Sequence, residues 1–473
     1  MTSAAPILVL FRNDLRVADN RALAAATDSG RPVVPLFILD ENGSRPAGAA
    51  SRWWLHHSLA ALGASLERLG AGLVLRRGGT HEIVAEILKA TGATSVFWNR
   101  RYAPPHVEVD RALKAGLREE GVEAESFDGF LLHEPTRLAT GAGAFYKVFT
   151  PFYRRLAAEG DPRDPVDAPT GLTGWKGRLP AGDLAAFGLL PDKPDWSGGL
   201  AERWRPGEAG AAARLDDFLE EHLDGYADSR DRPAEAGTSG LSPHLAHGEI
   251  SPFQIMAALR AKQGRDAETF RKELAWREFS YHLLFRRPEL HHASFRPDFD
   301  GFGWRRDPGG LKAWQGGQTG YPIVDAGMRE LWQTGWMHNR VRMIAASFLI
   351  KDLLIDWREG EAWFWDTLVD ADAANNPASW QWVAGSGADA APYFRIFNPV
   401  LQGEKFDPDG RYVRCYVPEL AELPDRYIHR PWDAPRSVLA GCGIELGRDY
   451  PLPVVDHAKA RDRAMDAYRA IRG

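Results

Sequence analysis

Residues 7–16 read Ile-Leu-Val-Leu-Phe-Arg-Asn-Asp-Leu-Arg, an apolar run that ends in a charged loop. Such a run predicts a buried strand, because parallel strands covered on both faces are apolar throughout. Three further runs of this kind lie at 33–39, 73–75 and 95–99. Helical patterns, with apolar residues every three or four positions, lie at 52–69, 81–91 and 107–120. The alternation predicts a Rossmann-like α/β domain with a parallel sheet.

The chain changes character after this α/β region. No G-x-G-x-x-G fingerprint follows the first strand, which argues against a dinucleotide bound there in the usual Rossmann manner. Residues 136–206 are rich in Pro, Gly, Asp and Ala, as is typical of a long connection. Later segments such as 267–285 and 324–357 show only helical periodicity. We therefore predict an α/β domain at 1–135, a linker at 136–206 and an all-α domain at 207–473.

The composition is that of a globular protein with room for a large cofactor. The chain has 473 residues, of which 44% are hydrophobic and 26% charged. No apolar run approaches the roughly 20 residues that span a bilayer, and residues 1–6 lack the features of a signal peptide. We expect a soluble, cytoplasmic protein. Cys415 and Cys442 are too few for a four-cysteine zinc site or an iron-sulfur cluster, so any redox chemistry requires an organic cofactor.

Charge is unevenly distributed along the sequence. The net charge is −6, an unfavourable balance for binding DNA, since affinity for DNA comes largely from Lys and Arg at the phosphates. Residues 260–351, however, hold 16 Lys and Arg against 10 Asp and Glu, so this segment carries +6 and the remainder −12. A local basic face and a salt-bridged helical surface are both open interpretations of this count.

Tryptophan is the outlier of the composition. Ten of the 17 tryptophans lie between 273 and 400, namely Trp276, Trp304, Trp314, Trp332, Trp336, Trp357, Trp363, Trp365, Trp380 and Trp382. A single Trp is usually a core residue, but ten in one helical region favour stacking platforms for bases or a path for electrons. Polar residues in the same apolar sequence are Glu273, Arg277, Asn339, Arg340, Arg342, Asp370, Asp372, Asn376 and Arg395. A large polar ligand would give such groups partners.

Two short segments carry further candidate chemistry. Asp370 and Asp372 precede a loop-like Ala-Asn-Asn-Pro, where paired carboxylates suit acid–base work or a metal. We expect no metal, because no third ligand is suitably spaced and nearby Arg residues favour ion pairing. Thr-Ser-Gly-Leu-Ser-Pro (238–243) predicts a turn entering a helix, whose N–H groups and hydroxyls could hold a diphosphate. The histidines have no spacing typical of a zinc site.

Several strings, read in order, resemble the photolyase/cryptochrome family, and bacterial cyclobutane pyrimidine dimer photolyases in particular. They are Phe-Arg-Asn-Asp-Leu-Arg (11–16), Gly-Thr-Ser-Gly-Leu-Ser-Pro (237–243), Glu-Leu-Ala-Trp-Arg-Glu-Phe (273–279), Thr-Gly-Tyr-Pro-Ile-Val-Asp-Ala (319–326), Gly-Trp-Met-His-Asn-Arg (335–340), Asp-Trp-Arg-Glu-Gly-Glu (356–361), Trp-Gln-Trp (380–382) and Ala-Pro-Tyr-Phe-Arg-Ile-Phe-Asn-Pro (391–399). The resemblance runs nearly end to end and keeps both order and spacing.

The resemblance implies an FAD bound in the helical domain. The residues expected at its phosphates and ribityl side are Tyr226, Thr238, Ser239, Gly240, Leu241 and Ser242. Asp370 and Asp372 are expected at the ribityl and ring region, Asn376 at flavin N5, and Arg342 paired with Asp370. The electron relay from the flavin to solvent is expected to be Trp380, Trp357 and Trp304.

The resemblance also implies a light-driven lyase that acts on ultraviolet-damaged DNA. The dimer would be flipped into a cavity over the adenine, packed by Trp276 and Trp382. Glu273, Asn339, Met343 and Arg277 are expected to line this cavity, and Arg230, Arg340 and Gln402 to contact DNA. Glu273 is the candidate hydrogen-bond or proton donor to the thymine carbonyl. Electron transfer from excited, reduced FAD would open the cyclobutane ring, and the electron would return.

Two rivals share this fold. A signalling cryptochrome is disfavoured because Trp276, Trp382, Glu273 and Met343 keep the repair-type cavity, and because the chain ends at Gly473 without a signalling tail. A 6-4 photoproduct photolyase is disfavoured because eukaryotic examples carry His at the position of Asn339. The bacterial iron-sulfur type needs four cysteines, whereas this chain has two.

The expected antenna is methenyltetrahydrofolate at the domain interface, with 8-hydroxy-5-deazaflavin as the alternative. The sequence departs from folate-binding relatives here, with Pro-Pro-His at 104–106 in place of their Asn-Glu pair, whereas Asn-Arg-Arg-Tyr at 99–102 recurs in relatives of either kind. We expect a bacterial monomer that works at the nucleoid.

Overall fold

The computed structural model describes residues 4–42, 45–141, 143–180, 182–390 and 394–472. The chain divides into two compact units. The first unit is Met1–Glu221 with Ser239–Pro288, and the second is His222–Thr238 with Glu289–Gly473. The boundaries predicted at 135 and 206 stay a prediction, because a compact unit in space need not coincide with one stretch of sequence.

Strands alternate with helices at the start of the chain, as predicted. The elements are β1 Ile7–Phe11, α1 Arg21–Asp28, β2 Val33–Leu39, α2 Ala49–Leu69, β3 Val74–Arg77, α3 Thr80–Thr91, β4 Ser95–Asn99, α4 Pro104–Glu119 and β5 Glu123–Phe127. All strand pairs are parallel, in the order β3-β2-β1-β4-β5. Strand β5 was not predicted, since it reads Glu-Ala-Glu-Ser-Phe and lies at the sheet edge, where polar side chains can face water.

The other regular secondary structure of the described residues is helical. The helices are α5 Phe149–Ala158, α6 Gly198–Arg203, α7 Glu208–Asp217, α8 Tyr226–Ser229, α9 Ser242–His247, α10 Pro252–Leu259, α11 Arg265–Arg286, α12 Pro308–Gln315, α13 Pro322–Thr334, α14 Asn339–Ser347, α15 Trp357–Thr367, α16 Asn375–Ala384, α17 Pro399–Phe406, α18 Arg411–Tyr416, α19 Asp425–Ile428, α20 Arg436–Gly441 and α21 His457–Ala470. Within the described ranges, none of them is long and apolar enough to cross a membrane.

The sheet of the first unit is buried on both faces. Ile7 and Val9 point to one core, and Leu8 and Leu10 point to the other, because successive side chains in a strand alternate. The alternation explains why the run that opens the chain is apolar at every position. At the carboxyl end of β1, the buried guanidinium of Arg16 donates to the carbonyls of Gly129 and Gly248, at 2.9 and 2.8 Å. These bonds join the loop after β1 to the residue that follows α9 within the first unit.

The core of the second unit is centred on α13 and α14. Met328 and Leu331 of α13 pack with Val341 and Ile344 of α14, and Trp357 and Trp380 belong to the same buried cluster. The helical period predicted over 324–357 breaks at Gly335, a left-handed residue with φ 67° that ends α13. One long predicted segment is therefore two helices, a π-helical turn at Phe348–Asp352 and the start of α15.

The tryptophans of 273–400 outside the predicted relay and lesion-binding residues are expected to lie in the core, and they are Trp314, Trp332, Trp336, Trp363 and Trp365. Trp363 and Trp365 are half-buried. Trp314 and Trp336 are buried, at 0% and 8% exposure. Trp332 is 58% exposed, so its assignment to the core was wrong. Its ring lies parallel to that of Trp363, with centroids 6.0 Å apart. The residue lies on the solvent side of an amphipathic helix, and composition alone cannot show on which side of a helix a single indole lies.

Candidate cofactor and DNA-binding site

Arg342 and Asp370 form a two-pronged ion pair in the second unit. Nη1 donates to Oδ1 at 3.1 Å and Nη2 donates to Oδ2 at 2.8 Å. Nε donates to the carbonyl of Met337 at 2.7 Å, so the guanidinium is held at both ends. The pairing predicted for these residues is confirmed. Because a two-pronged contact fixes orientation as well as distance, it ties α14 to the loop that precedes α16.

Asp372 shapes the start of α16. Its Oδ1 accepts hydrogen bonds from the backbone N–H groups of Ala374 and Asn375, at 2.8 and 2.6 Å, and Oδ2 accepts one from the Asn375 side chain at 2.6 Å. The carboxylate thereby supplies acceptors to N–H groups at the helix start. Its predicted contact with the ribityl and ring region of FAD stays a prediction.

Asn376 is held with its amide in a defined orientation. The buried side chain donates from Nδ2 to Glu361 Oε1 at 2.8 Å and to the Glu361 carbonyl at 3.0 Å. Its Oδ1 accepts no hydrogen bond from any residue that the structure describes. An amide oxygen left without a donor suits an N–H group of a ligand. The geometry therefore fits the predicted position at flavin N5.

Helix α16 separates its two tryptophans by direction. Residues two apart on an α-helix differ by about 200°, so Trp380 and Trp382 point to opposite sides. Trp380 is 2% exposed and meets the edges of Trp314 and Phe364, with centroids 6.1 and 4.9 Å away. Trp382 is half-buried and donates from Nε1 to the carbonyl of Asp389 at 3.1 Å. One helix can thus serve the predicted relay on one side and the predicted lesion cavity on the other.

The other two predicted relay residues differ in burial. Trp357 is fully buried, and its Nε1 has no acceptor among the described residues. Trp304 is half-buried and packs on Phe302, with ring centroids 4.3 Å apart. Trp304 therefore reaches solvent, whereas Trp380 and Trp357 are buried. The order of the relay stays a prediction. The electron transfer itself stays a prediction.

Gly360→Ala is expected to destabilise the protein, although alanine is the better helix former by about 1 kcal/mol. A methyl group at position 360 would overlap the Trp380 ring and lie 2.6 Å from Leu349 Cδ2. Overpacking of this kind costs about 1–3 kcal/mol, so a net loss in the free energy of unfolding should appear in urea titrations. The control is Gly116→Ala in α4, where nothing lies within 4 Å. If both variants gain stability, the packing around Trp380 is looser than described.

The predicted phosphate-binding residues lie in both units. Tyr226 is buried at the start of α8, with the Arg230 guanidinium 5.5 Å from the centre of its ring. Thr238 also belongs to the second unit, whereas Ser239–Ser242 belong to the first. The turn predicted before a helix is confirmed, since Ser242 begins α9. Within this turn Leu241 N–H donates to Ser239 Oγ at 3.4 Å, and Gly240 has a φ of 62° that favours glycine.

Helix α14 brings together three residues predicted to meet the lesion or the DNA, Asn339, Arg340 and Met343. Arg340 donates to Asp231 Oδ2 at 2.7 Å, lies 3.8 Å from the Met343 sulfur, and stacks on Phe406 of α17 at 4.5 Å. Asn339 is exposed. Gln402 is half-buried on α17, the helix on which Arg340 stacks.

Helix α11 carries the remaining predicted lesion residues, in the first unit. Glu273 and Trp276 are half-buried, and the Trp276 ring is stacked on Phe149 with a centroid distance of 3.7 Å. Arg277 is buried and donates to the carbonyl of Phe130 at 2.9 Å, with its guanidinium 4.4 Å from the Phe130 ring. Its contacts are with its own unit. The roles of all three toward DNA stay predictions.

Two residues of the second unit were missed by sequence reasoning. Glu361 orients Asn376, and Asp231 pairs with Arg340. Glu361 ends the string Asp-Trp-Arg-Glu-Gly-Glu (356–361), yet no role was assigned to it, since no spacing rule links it to a residue 15 positions later. Asp231 is 109 positions from its partner, in a segment without a distinctive pattern.

Family models match both parts of the chain. Residues 7–170 match the model described as DNA photolyase, and residues 270–470 match the FAD binding domain of DNA photolyase. The deoxyribodipyrimidine photo-lyase of Agrobacterium fabrum is 55% identical over 99% of this chain and 98% of its own length. Cryptochrome-1 of Arabidopsis thaliana is 40% identical over 96% of this chain and 69% of its own length.

Structural comparison agrees with the sequence matches. The crystal structure of a bacterial class III photolyase from Agrobacterium tumefaciens superposes with a TM-score of 0.97 at 55% identity. The match covers all of this chain and 98% of that one. The predicted fold, a parallel α/β domain followed by a helical FAD-binding domain, is therefore confirmed.

Proposed function

Because this chain belongs to the photolyase/cryptochrome family, we propose that it is a deoxyribodipyrimidine photolyase, which repairs cyclobutane pyrimidine dimers in DNA with light. The observation that carries the proposal is the Asn376 amide, oriented by Glu361 with its oxygen unpaired, on the helix that also bears Trp380. Similarity over nearly the whole chain to a relative of that name, at 55% identity, supports it. When bound, light-excited reduced FAD supplies an electron that opens the dimer and then returns, without net redox change.

In this proposal Arg342, Asp370, Asp372 and Asn376 of the second unit orient the flavin and ribityl part of the cofactor. Arg342 neutralises Asp370 and fixes the loop before α16. Asp372 sets the first turn of α16, so the positions of Asn376 and Trp380 on that helix are defined together. Fixed dipoles in a site shielded from water can stabilise a transient charge without reorganising. Tyr226 and residues 238–242 bind the phosphates and ribityl side.

In this proposal residues of α11 in the first unit contact the lesion, and so do residues of α14 and α16 in the second unit. A dimer inside a duplex must be flipped out before a buried cofactor can reach it. Trp276 and Trp382 pack against the flipped bases, and Asn339, Met343, Glu273 and Arg277 contact them. Glu273 donates a hydrogen bond or proton to the thymine carbonyl. Arg230, Arg340 and Gln402 contact the DNA around the lesion.

Asn339→Ala and Trp276→Ala are expected to weaken binding to dimer-containing DNA more than to undamaged DNA. Stacking on an aromatic residue contributes about 1–3 kcal/mol per base, so Trp276→Ala should cost roughly tenfold or more in damage-specific affinity. Electrophoretic shift or anisotropy titrations on matched duplexes at one salt concentration measure the ratio. Arg340→Gln should weaken both affinities similarly, since phosphate contacts carry no direct sequence information. Equal losses on both duplexes for Trp276→Ala would assign it to folding.

A repair assay tests the function directly. The flavin-loaded protein is given a cyclobutane dimer and a 6-4 photoproduct in the same sequence, in light and in darkness. We expect loss of the cyclobutane dimer in light only, with the 6-4 product unchanged. Repair of the 6-4 photoproduct alone would show that this lesion, and not the cyclobutane dimer, is the substrate. Flavin photochemistry without repair of either lesion would favour the cryptochrome role, to which the 40% identity with a plant cryptochrome gives weight.

We propose methenyltetrahydrofolate as the antenna, with 8-hydroxy-5-deazaflavin as the alternative. Pro104 and Pro105 form the first turn of α4, where proline is well tolerated. The absorption spectrum and mass of the chromophore released from the native protein distinguish the two. In this proposal the enzyme acts at the nucleoid, because its substrate is DNA and a bacterial relative is named deoxyribodipyrimidine photo-lyase. We propose that it acts as a monomer.

A further inference from the structure

An arginine from α7 occupies the space beside Gly240. A methyl group at position 240 would lie 3.3 Å from Arg214 Nε, 3.4 Å from Cζ and 3.6 Å from Cδ. The guanidinium therefore lies next to the position that a side chain at residue 240 would occupy. Both residues belong to the first unit. Gly240 is one of the two central residues of the turn Ser239–Ser242, which leads into α9.

The Arg214 guanidinium lies over the face of an aromatic ring. Its Cζ lies 5.7 Å from the centre of the buried Trp204 ring, which also carries Arg203 at 5.2 Å. Within the described parts of the chain, the Arg214 side chain makes no ion pair and donates no hydrogen bond. Burial, and then the charge of Arg203, lower the pKa of Arg214, against a smaller opposing effect of Asp217. Because the effect of the neighbouring Arg203 cation exceeds that of the Asp217 anion, an anionic ligand beside the half-buried Arg214 would stabilise its charge.

We propose that Arg214 binds the diphosphate of FAD, as an additional ligand beside the Ser239–Ser242 turn. The inference rests on the proposed function, since it assumes that this turn holds the cofactor. A planar guanidinium presents several N–H donors in one plane and pairs with two oxygens of a phosphate at once. The absence of a side chain at Gly240 lets the guanidinium come close to the turn. The turn and the arginine thus form one anion-binding surface within the first unit.

The test measures ligand binding by the flavin-free protein. Arg214→Gln should weaken FAD binding by about 10- to 100-fold, since a hydrogen bond to a charged group contributes about 1.5–3 kcal/mol and each 1.4 kcal/mol is tenfold. Riboflavin, which has no phosphate, should bind the variant and the parent equally. ADP, which has the diphosphate without the flavin, should lose affinity as FAD does. Arg214→Lys should give an intermediate loss, because it keeps the charge but not the two-pronged geometry.

The control is Arg260→Gln, an arginine of the same unit that pairs with Asp164 at 2.7 Å and is 49% exposed. It should leave all three affinities unchanged. Unchanged FAD and ADP binding by Arg214→Gln would overturn the inference. An equal loss of riboflavin affinity would also overturn it, by showing a purely structural role. If the unmodified protein bound ADP through Arg214 but did not bind flavin, the phosphate site would stand. The proposed function would then be rejected.

Discussion

Trp380→Phe is expected to abolish photoreduction of the oxidised flavin and to leave repair by chemically prereduced protein intact. The indole is 2% exposed and lies on the core side of α16, where the proposal makes it the first residue of the relay. A phenyl ring keeps most of the packing but is far harder to oxidise than an indole. The photoreduction rate should fall at least tenfold, which corresponds to about 1.4 kcal/mol in the barrier. Absorbance of the bound flavin during blue illumination with an external reductant measures it.

Two companion variants distinguish a relay from a packing effect. Trp357→Phe and Trp304→Phe should also slow photoreduction, because they remove later residues of the same path. Trp365→Phe should not, since this half-buried residue of α15 has no place in the relay. Loss of both photoreduction and repair in Trp380→Phe would contradict the relay role and indicate damage to the flavin site. Full photoreduction in that variant would mean that electrons take another route.

The fold could be predicted from the sequence to the extent that it depends on local patterns. Strands β1, β2 and β4 have the predicted bounds, because continuous apolar runs are the direct consequence of burial on both faces. Strand β5 could not be predicted, since its pairing with β4 is a non-local contact of a polar edge segment. The compact units likewise join separate stretches of the chain, such as Ser239–Pro288 with the α/β region.

The site was predictable residue by residue only through family resemblance. Patterns alone indicated a polar ligand and a turn suited to phosphate, and neither identifies a flavin. The Arg342–Asp370 pair followed from the resemblance and is present. The residues that orient the predicted ones were missed, as Glu361 shows, because a carboxylate that positions another side chain has no motif of its own. Arg214 was missed for a related reason, since its proximity to Gly240 exists only after folding.

Asp325→Ala is expected to cause the largest loss of stability in the second unit, about 3–5 kcal/mol. The carboxylate is fully buried and accepts four hydrogen bonds. Thr319 supplies its backbone N–H at 2.7 Å and its hydroxyl at 2.6 Å, Gly320 supplies its N–H at 3.0 Å, and Tyr450 supplies its hydroxyl at 2.7 Å. Alanine would leave two buried backbone N–H groups without acceptors, and each such group costs about 1–3 kcal/mol.

Asp325→Asn tests whether the loss comes from the hydrogen bonds. The amide keeps one acceptor oxygen for Thr319 but presents N–H groups toward the Gly320 N–H, so the loss should be smaller, about 1–3 kcal/mol. The control is Asp298→Ala, an acid of the same unit that is 59% exposed, for which a change within about 0.5 kcal/mol is expected. Urea titrations of the flavin-loaded proteins measure all three. Equal losses for the Ala and Asn variants would show that the charge of Asp325 matters more than its acceptor geometry.

Neighbouring Gly320, with φ 78°, leaves no room for a side chain against Leu452, so the turn that Asp325 binds depends on both residues.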